Sequence, residues 1–256
     1  MNLTDFPLFD AHFHIIDPNY PLVENQGFMP SHFTCEEYQQ QMASLPLVGG
    51  VVVSGSYQAY DQTYLLAALK KLGPQYVGVT QLPVTVEDAE LQALDAAGVR
   101  ALRFNLYRAE SLEVDQLESF AKRVHELVNW HVEIYADAPL IDRLSDLIGR
   151  LPAVSIDHLA LSKRASKPLL KLVEQGVRVK ASGFGRLESG PIALLRELYG
   201  ANPECLMFGS DLPSTRAPRP FSLQDLDRIG DALCESGVKR VFCDNALGFY
   251  RMPAAV

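Results

Sequence analysis

The sequence predicts a closed (β/α)8 barrel, the TIM-barrel fold of the α/β class, as a single domain over residues 1–256. Three observations lead to this prediction. Eight short apolar runs recur along the chain, the intervals between them mostly carry helical patterns, and no linker or low-complexity segment marks a second domain. Eight strands alternating with helices favour a closed barrel over an open doubly wound sheet, which usually has fewer strands.

Each apolar run is short and is bounded by Gly, Pro, Asp or Asn, as expected of a buried parallel strand. The predicted strands cover residues 7–12, 49–55, 76–82, 99–105, 132–137, 153–158, 177–183 and 205–211. Between them and after the last one, segments such as YDQTYLLAALKKLG and KPLLKLVEQG repeat apolar residues with helical spacing. Two long connections, 15–48 and 212–221, follow the first and last strands and are expected at the C-terminal mouth of the barrel.

The composition argues against several classes of partner. The chain has 23 Lys and Arg against 31 Asp and Glu, and its net charge of −8 disfavours binding to nucleic acid or to a membrane surface. No apolar segment approaches the roughly 18 residues of a membrane span. Cys35, Cys205, Cys234 and Cys243 are scattered and form no C-x-x-C motif, so we expect a reduced, cytoplasmic protein.

Polar residues collect at the C-terminal ends of the predicted strands, and a barrel brings these ends to one mouth. His12 and His14 lie two apart on the first strand, so their side chains should point the same way. The other strand-end candidates are Asp10, Ser54, Ser56, Tyr57, Arg103, Asn105, Tyr135, Asp137, Asp157, His158, Lys180, Ser182, Arg186 and Asp211.

Structural roles are also open to these residues. His12 and His14 could be satisfied core histidines, His158 could pair with Asp157, and Asp211 could cap a loop. Arg103 could hold a structural salt bridge. We expect four basic residues to be solvated surface charges, namely Lys163, Lys180, Arg108 and Arg216. Three other histidines are expected to be structural, namely His32, His125 and His131. No G-x-S-x-G elbow or P-loop is present, which disfavours a serine hydrolase or a nucleotide-binding fold.

The order of the motifs DAHFHIID, VVVSGSYQAYD, VRALRFNL, SIDHLALS, VKASGFGR and FGSDLP resembles the amidohydrolase superfamily. The resemblance covers nearly the whole chain and is closest to the "amidohydrolase 2" branch, which includes 2-pyrone-4,6-dicarboxylate lactonase and sugar-acid lactonases. GSDLP stands where members of that branch often carry GTDWPH, so the substrate is left open.

The resemblance implies hydrolysis of a lactone ring that bears a carboxylate or derives from a sugar acid. In this interpretation, Asp211 is the general base for water, and His12, His14 and His158 polarise the carbonyl group. Arg103 and Arg186 are the candidates for holding a substrate carboxylate. Ser56, Tyr57 and Tyr135 would add hydrogen bonds.

The metal requirement stays open at this point. The fifth predicted strand, VEIYAD, lacks the lysine of dinuclear superfamily members and the histidine of many mononuclear ones, so a two-metal site is not expected. One Zn²⁺ or Mn²⁺ could be held by His12, His14, His158 and Asp211, although we favour chemistry without a metal.

Two other functions are compatible with the sequence. One is a metal-dependent hydrolase or non-oxidative decarboxylase of the same superfamily, which would use the same residues around a cation. The other is a non-catalytic barrel that binds a small anion. A homo-oligomer is compatible with all of these functions.

Overall fold

The computed structural model describes residues 3–107, 114–187 and 191–253, and these residues form the predicted barrel. Eight strands lie side by side in chain order, and each of the seven sequential pairs is parallel. The strands are β1 (Leu8–Phe13), β2 (Leu47–Val53), β3 (Tyr76–Thr80), β4 (Val99–Asn105), β5 (His131–Tyr135), β6 (Val154–Ile156), β7 (Arg178–Ala181) and β8 (Leu206–Phe208). This confirms the predicted fold class.

Helices surround the sheet, and most of them follow the predicted amphipathic segments. They are α1 (Cys35–Met42), α2 (Thr63–Leu72), α3 (Asp88–Ala96), α4 (Val114–Val128), α5 (Ala138–Arg143), α6 (Ser145–Ile148), α7 (Lys167–Glu174), α8 (Ile192–Ala201), α9 (Gln224–Ala232), α10 (Glu235–Lys239) and α11 (Asn245–Phe249). None of the helices in the described residues is both long and apolar enough to cross a membrane. Arg108, predicted from the sequence to be a surface charge, lies outside the described residues.

Local signals explain where several helices begin. Thr34 and Glu37 form a reciprocal capping box at α1, inside the long connection where no helix was predicted. The Asp137 side chain accepts a hydrogen bond from the backbone N–H of Leu140 and so caps α5. Asp137 therefore serves the local backbone and does not join the other strand-end candidates at the mouth.

Two apolar layers hold the barrel together. The larger lies between the sheet and the helices, and the smaller fills the barrel interior. In the interior, Phe9, Val79 and Met207 pack together with Ala246 and Tyr250 of the C-terminal segment, which closes the N-terminal end of the barrel. The opposite end carries the polar mouth.

Hydrogen bonds between the ends of β8 and β1 position the mouth. The Asp211 N–H donates to the His12 carbonyl at 2.7 Å, and the His14 N–H donates to the Leu212 carbonyl at 2.7 Å. The buried Asp10 carboxylate accepts the backbone N–H of Ser210 at 2.8 Å and its hydroxyl at 2.6 Å. Residues from opposite ends of the chain are thereby fixed against one another.

We expect Asp10→Ala to lower the free energy of unfolding by about 3 kcal/mol, because it leaves buried Ser210 and Tyr38 donors without an acceptor. Urea unfolding measures this. The matched control is Asp88→Ala, which removes an exposed partner of Arg123 and should cost about 1 kcal/mol or less. An equal loss of unfolding free energy in the two variants would contradict the role of Asp10 in joining the ends of β1 and β8.

Candidate active site

Three imidazoles surround one oxygen of Asp211 at the mouth of the barrel. The Nε2 atoms of His12, His14 and His158 lie 4.0, 3.8 and 3.6 Å from Asp211 Oδ1. All four residues are buried, with at most 4% of their surface exposed. The structure therefore brings together four residues that are up to 199 positions apart in the sequence, as the barrel prediction requires.

The His14 ring has a fixed tautomer. Its Nδ1 lies 2.6 Å from the backbone carbonyl oxygen of Val53, an atom that can only accept a hydrogen bond. Nδ1 must therefore carry the proton, and in the neutral ring Nε2 presents a lone pair toward Asp211. Neutral His14 can thus accept a hydrogen bond or ligate a cation through Nε2, but it cannot donate from that atom.

Close backbone approaches set the position of the other two rings. A Cβ at Gly209 would lie 2.8 Å from His12 Cβ, and one at Gly183 would lie 2.8 Å from His158 Nδ1. Gly183 also has a φ of 62°, in the left-handed region that favours glycine. His158 Nδ1 lies 2.9 Å from the Ser182 hydroxyl, which can act as donor or acceptor.

The backbone is strained at the end of β6. His158 begins a turn in which four consecutive non-glycine residues, through Leu161, have φ angles between 49° and 55°. Left-handed backbone costs roughly 1–2 kcal/mol per residue. Such strain persists only where the surrounding structure enforces it, and it concentrates at functional sites. Here it places the His158 ring above Asp211.

The two oxygens of Asp211 have different surroundings. Oδ2 accepts a hydrogen bond from Arg186 Nε at 2.9 Å and lies 2.8 Å from Arg186 Nη2. Oδ1 has no hydrogen-bond partner among the described residues. The ion pair orients the carboxylate and leaves Oδ1, the atom facing the imidazoles, as the available acceptor.

Arg103 is buried and paired. Its Nε and Nη2 donate to Asp157 Oδ2 at 3.0 and 2.9 Å, and Nη1 donates to the Ser54 carbonyl at 2.8 Å. The guanidinium also lies 5.4 Å from the centroid of the Tyr135 ring. Burial alone would raise the pKa of Asp157, but His12, Arg103 and Lys180 hold it well below its usual range.

Lys180 is the residue whose environment the sequence prediction misjudged. The expectation of a solvated surface charge is wrong, because Lys180 is completely buried and its Nζ lies 2.5 Å from Glu133 Oε2. Glu133 was not singled out in the sequence. A signal for this pair was present in the sequence, because the apolar strand segments VEIYAD and VRVKASG contain charged residues of opposite sign, Glu133 and Lys180. A buried charge needs a partner, so these two charges could have been matched.

Burial keeps the site histidines neutral. It lowers the pKa of His12, and it lowers the pKa values of His14 and His158 well below 6.5. Nearby positive groups lower the pKa of all three rings further, whereas Asp157 opposes the shift at His12 and His158. At neutral pH each ring therefore offers one N–H and one lone pair.

A cavity of about 30 Å³ opens above the imidazoles. It is far smaller than the ~300–1,000 Å³ of typical ligand pockets, so a lactone binds there only if side chains or connections at the rim move outward. Its lining includes the predicted contact residues Ser56, Tyr57, Arg103, Tyr135 and Arg186, together with His14, Gly55, Asn105, His158, Thr215 and Arg216.

Arg216 is half-buried rather than solvated. Its Nη2 donates to the Asn25 carbonyl, and its guanidinium lies 4.5 Å from the centroid of the Phe28 ring. It thereby links the connection after β8 to the connection after β1 at the rim of the pocket.

Part of the donor set also fits one divalent cation, because ligand atoms of His12, His158 and Asp211 all lie within 4.8 Å of one another. A tetrahedral Zn²⁺ site with bonds of about 2.0–2.1 Å holds its ligands roughly 3.4 Å apart, slightly less than the Asp211 Oδ1 distances in this site. His12 Nε2 and Asp211 Oδ1 are buried atoms without partners among the described residues, as ligand atoms would be. His14 is not part of this close group, although its Nε2 lies 3.8 Å from Asp211 Oδ1. The other close group of donors, His12, Glu133 and Asp157, surrounds the Lys180 ammonium instead.

The sequence profile of the amidohydrolase family matches residues 9–252. A 2-pyrone-4,6-dicarboxylate hydrolase of Comamonas testosteroni is 31% identical over 155 residues, which cover 59% of this chain and 50% of the relative. A 4-sulfomuconolactone hydrolase of Hydrogenophaga intermedia is 24% identical, with 93% of this chain and 86% of that protein covered. The match to the first relative thus spans half of its length, and the match to the second spans most of it.

Solved structures share the fold. A structure from Agrobacterium tumefaciens superposes with a TM-score of 0.85 at 18% identity, and 97% of each chain is covered. A probable 2-pyrone-4,6-dicarboxylic acid hydrolase from Acinetobacter baumannii, solved with citric acid bound, has a TM-score of 0.84 at 20% identity. The superposition covers 96% of this chain and 99% of that one.

We expect His14 and His158 to remain neutral at pH 6.0 in metal-free protein, because a lowered pKa keeps the neutral form populated below the usual value of about 6.5. Ring chemical shifts of ¹⁵N-labelled histidine, followed from pH 8 to 5.5, measure this. Free histidine in the same samples should titrate near its usual value. If the protein signals titrate in parallel with free histidine, these two rings are not held neutral by burial.

Proposed function

Because the chain belongs to the amidohydrolase family, we propose that it hydrolyses a lactone bearing a carboxylate, or one derived from a sugar acid. The observation that carries this proposal is the unpaired Oδ1 of Asp211 facing three neutral imidazoles below a polar pocket. A carboxylate acceptor beside hydrogen-bond donors is the arrangement that addition of water to a carbonyl group needs.

The attack begins at Asp211. Its Oδ1 accepts a proton from a water molecule as the water oxygen bonds to the lactone carbonyl carbon. Arg186 holds the other oxygen and fixes the direction of the acceptor. The Nε2 lone pair of His14 accepts a hydrogen bond from the second hydrogen of this water, which orients the water for attack.

The developing negative charge on the carbonyl oxygen is stabilised by donors. The sequence suggested donation from all three imidazoles, but the contact of His14 with Val53 assigns its single proton to the other side of the ring. We therefore assign donation to His12 and His158 through their Nε2 atoms. One preorganised donor of this kind lowers the barrier by about 3 kcal/mol.

Collapse of the tetrahedral intermediate breaks the bond between the carbonyl carbon and the ring oxygen. The proton held by Asp211 passes to the leaving alkoxide, so the carboxylate is regenerated. The product is an open-chain hydroxy acid or its enol tautomer. Every proton in this sequence is moved by Asp211.

An anionic substrate is supported by the free donors of the pocket. Three of the five N–H groups of Arg103 have protein acceptors, which leaves two for a substrate carboxylate. Arg186 donates hydrogen bonds to the protein through Nε and Nη2, which leaves Nη1 to donate to a substrate carboxylate. The relatives that hydrolyse pyrone dicarboxylate and sulfomuconolactone also act on anions.

A metal-dependent hydrolase or non-oxidative decarboxylase is the second candidate, and the close group of His12, His158 and Asp211 supports it. His12, His14, His158 and Asp211 would hold a single Zn²⁺ or Mn²⁺. The cation would supply Lewis acidity toward the carbonyl oxygen or a bound water. The substrate pocket and the pairing of Arg103 with Asp157 would have the same roles in the metal-independent and the metal-dependent reaction.

Asp211→Asn should lower kcat for an anionic lactone by about 10³-fold, because an amide cannot accept the proton of water. Steady-state kinetics on sugar-acid lactones and pyrone carboxylates measure this. Asp88→Asn, at an exposed aspartate that does not line the pocket, is the matched control and should leave kcat unchanged. Full activity in Asp211→Asn would rule out the general-base role.

Tyr135→Phe and Ser56→Ala should each raise KM for an anionic lactone by about 3- to 10-fold, as the loss of one hydrogen bond to a charged group predicts. These changes remove only a hydroxyl from the pocket lining. An uncharged lactone of similar size is the control, and its KM should change less. If both substrates respond alike, these residues do not contact the substrate anion.

Chelator treatment separates the two candidate functions. Metal-independent hydrolysis predicts that dialysis against chelator leaves kcat within about 2-fold. The metal-dependent alternative predicts a loss of activity that added Zn²⁺ or Mn²⁺ restores. Metal content measured on the same samples shows whether the chelator removed an ion.

A further inference from the structure

Lys180 has no part in the proposed hydrolysis, although its ammonium lies directly behind the site. Its Nζ is 2.5 Å from Glu133 Oε2, 3.2 Å from His12 Nδ1 and 3.6 Å from Asp157 Oδ1. The side chain is completely buried. A lysine is rarely buried unless specific partners compensate its lost hydration. The position of this ammonium is therefore built into the barrel.

Glu133 anchors the Lys180 ammonium from the side that faces the N-terminal end of the barrel. Its carboxylate also accepts a hydrogen bond from the Tyr250 hydroxyl and lies 3.2 Å from His131 Nε2. Burial alone would raise the pKa of Glu133, but Lys180 and His131 overcome this and lower it to about 2. An ionised Glu133 holds Lys180 in place beneath the His12 ring.

His12 Nδ1 has two neighbours with opposite requirements. The Lys180 ammonium can only donate a hydrogen bond, and the Asp157 carboxylate can only accept one. Lys180 makes its contact with hydrogen-bond geometry at 3.2 Å. Asp157 Oδ1 lies 3.3 Å from the same nitrogen and competes for it, but of the two contacts the one with Lys180 is the shorter and the better aligned for a hydrogen bond. The geometry therefore favours Nδ1 as an acceptor.

We propose that Lys180, anchored by Glu133, is a positioning residue that holds His12 in the tautomer with its proton on Nε2. That nitrogen faces Asp211 Oδ1 at 4.0 Å and has no hydrogen-bond partner among the described residues. The inference rests on the proposed function only for the use of this proton, which is donation to the lactone carbonyl oxygen.

The two histidines of the DAHFH motif then carry their protons on opposite ring nitrogens. His14 is protonated on Nδ1 because it donates to Val53, and His12 is protonated on Nε2 because it accepts from Lys180. One ring thus presents a lone pair to the pocket and the other presents a donor. Without Lys180, Asp157 would draw the His12 proton to Nδ1, and the donor would be lost.

The test is the ring tautomer, read from ¹⁵N shifts and long-range ¹H–¹⁵N couplings of histidine-labelled, metal-free protein. Comparison with His12→Asn assigns the His12 signals. In wild type, the shifts should place the His12 proton on Nε2 and the His14 proton on Nδ1. A His12 proton on Nδ1 in wild type would overturn the proposal without any variant.

The decisive variant is Lys180→Met/Glu133→Gln, which removes both charges of the buried pair and so leaves no unpaired ion in the core. The His12 proton should move to Nδ1, where it donates to Asp157. Tyr250→Phe is the matched control, since it removes a buried hydrogen bond to Glu133 but keeps the pair of Lys180 and Glu133, and it should leave the tautomer unchanged. An unchanged His12 tautomer in the double variant would show that Lys180 does not set it.

Kinetics provide a second readout that separates this inference from the proposed function. In the double variant, kcat should fall about 10²-fold with KM nearly unchanged, because the oxyanion forms only in the transition state. A fall in kcat with an unmoved tautomer would overturn the positioning role. Wild type with the expected tautomers but no lactone hydrolysis would overturn the proposed function and leave the positioning role standing.

Discussion

Three carboxylates buried in the mouth of this barrel each face a cation, and these ion pairs fix the geometry of the site. Glu133 faces Lys180, Asp157 faces Arg103, and Asp211 faces Arg186. Each pair joins residues from different strands or their following turns, so the pairs also hold the strand ends in register. An unpaired buried charge would cost several kcal/mol. The imidazoles are positioned within this framework of paired charges.

The same pairing lets neutral histidines stand beside three carboxylates. Because each carboxylate has its own cation, burial dominates at His14 and His158, and their pKa values fall well below the usual range. Neutral rings can differ in tautomer, whereas protonated rings are all donors. The site can therefore combine a lone pair and donors around one carboxylate oxygen.

The fold and the convergence of four site residues could be predicted from the sequence, because both follow from strand count and strand ends. His12, His14, His158 and Asp211 each follow an apolar run, and parallel strands bring such positions to one face. The strain at His158–Leu161 could not be predicted, because a left-handed backbone at four consecutive non-glycine residues opposes their local propensity. The role of Lys180 was missed for another reason, since its partner lies 47 positions away on another strand.

Helices without a strand beside them were also hard to predict. The segment around Cys35–Met42 lies in a long connection, and its helix depends on the capping box formed by Thr34 and Glu37. The C-terminal helices close the N-terminal end of the barrel through Tyr250 and Ala246. Contacts between distant parts of the chain decide such elements, and a single sequence does not display them.

The most direct measurement is a crystal structure of Asp211→Asn with an intact anionic lactone bound in the pocket. We predict that the lactone carbonyl carbon lies about 3–4 Å from the side chain at position 211 or from a water hydrogen-bonded to it. The carbonyl oxygen should also accept a hydrogen bond from His12 Nε2. A lactone bound with its carbonyl group directed away from all three imidazoles would contradict the proposed chemistry.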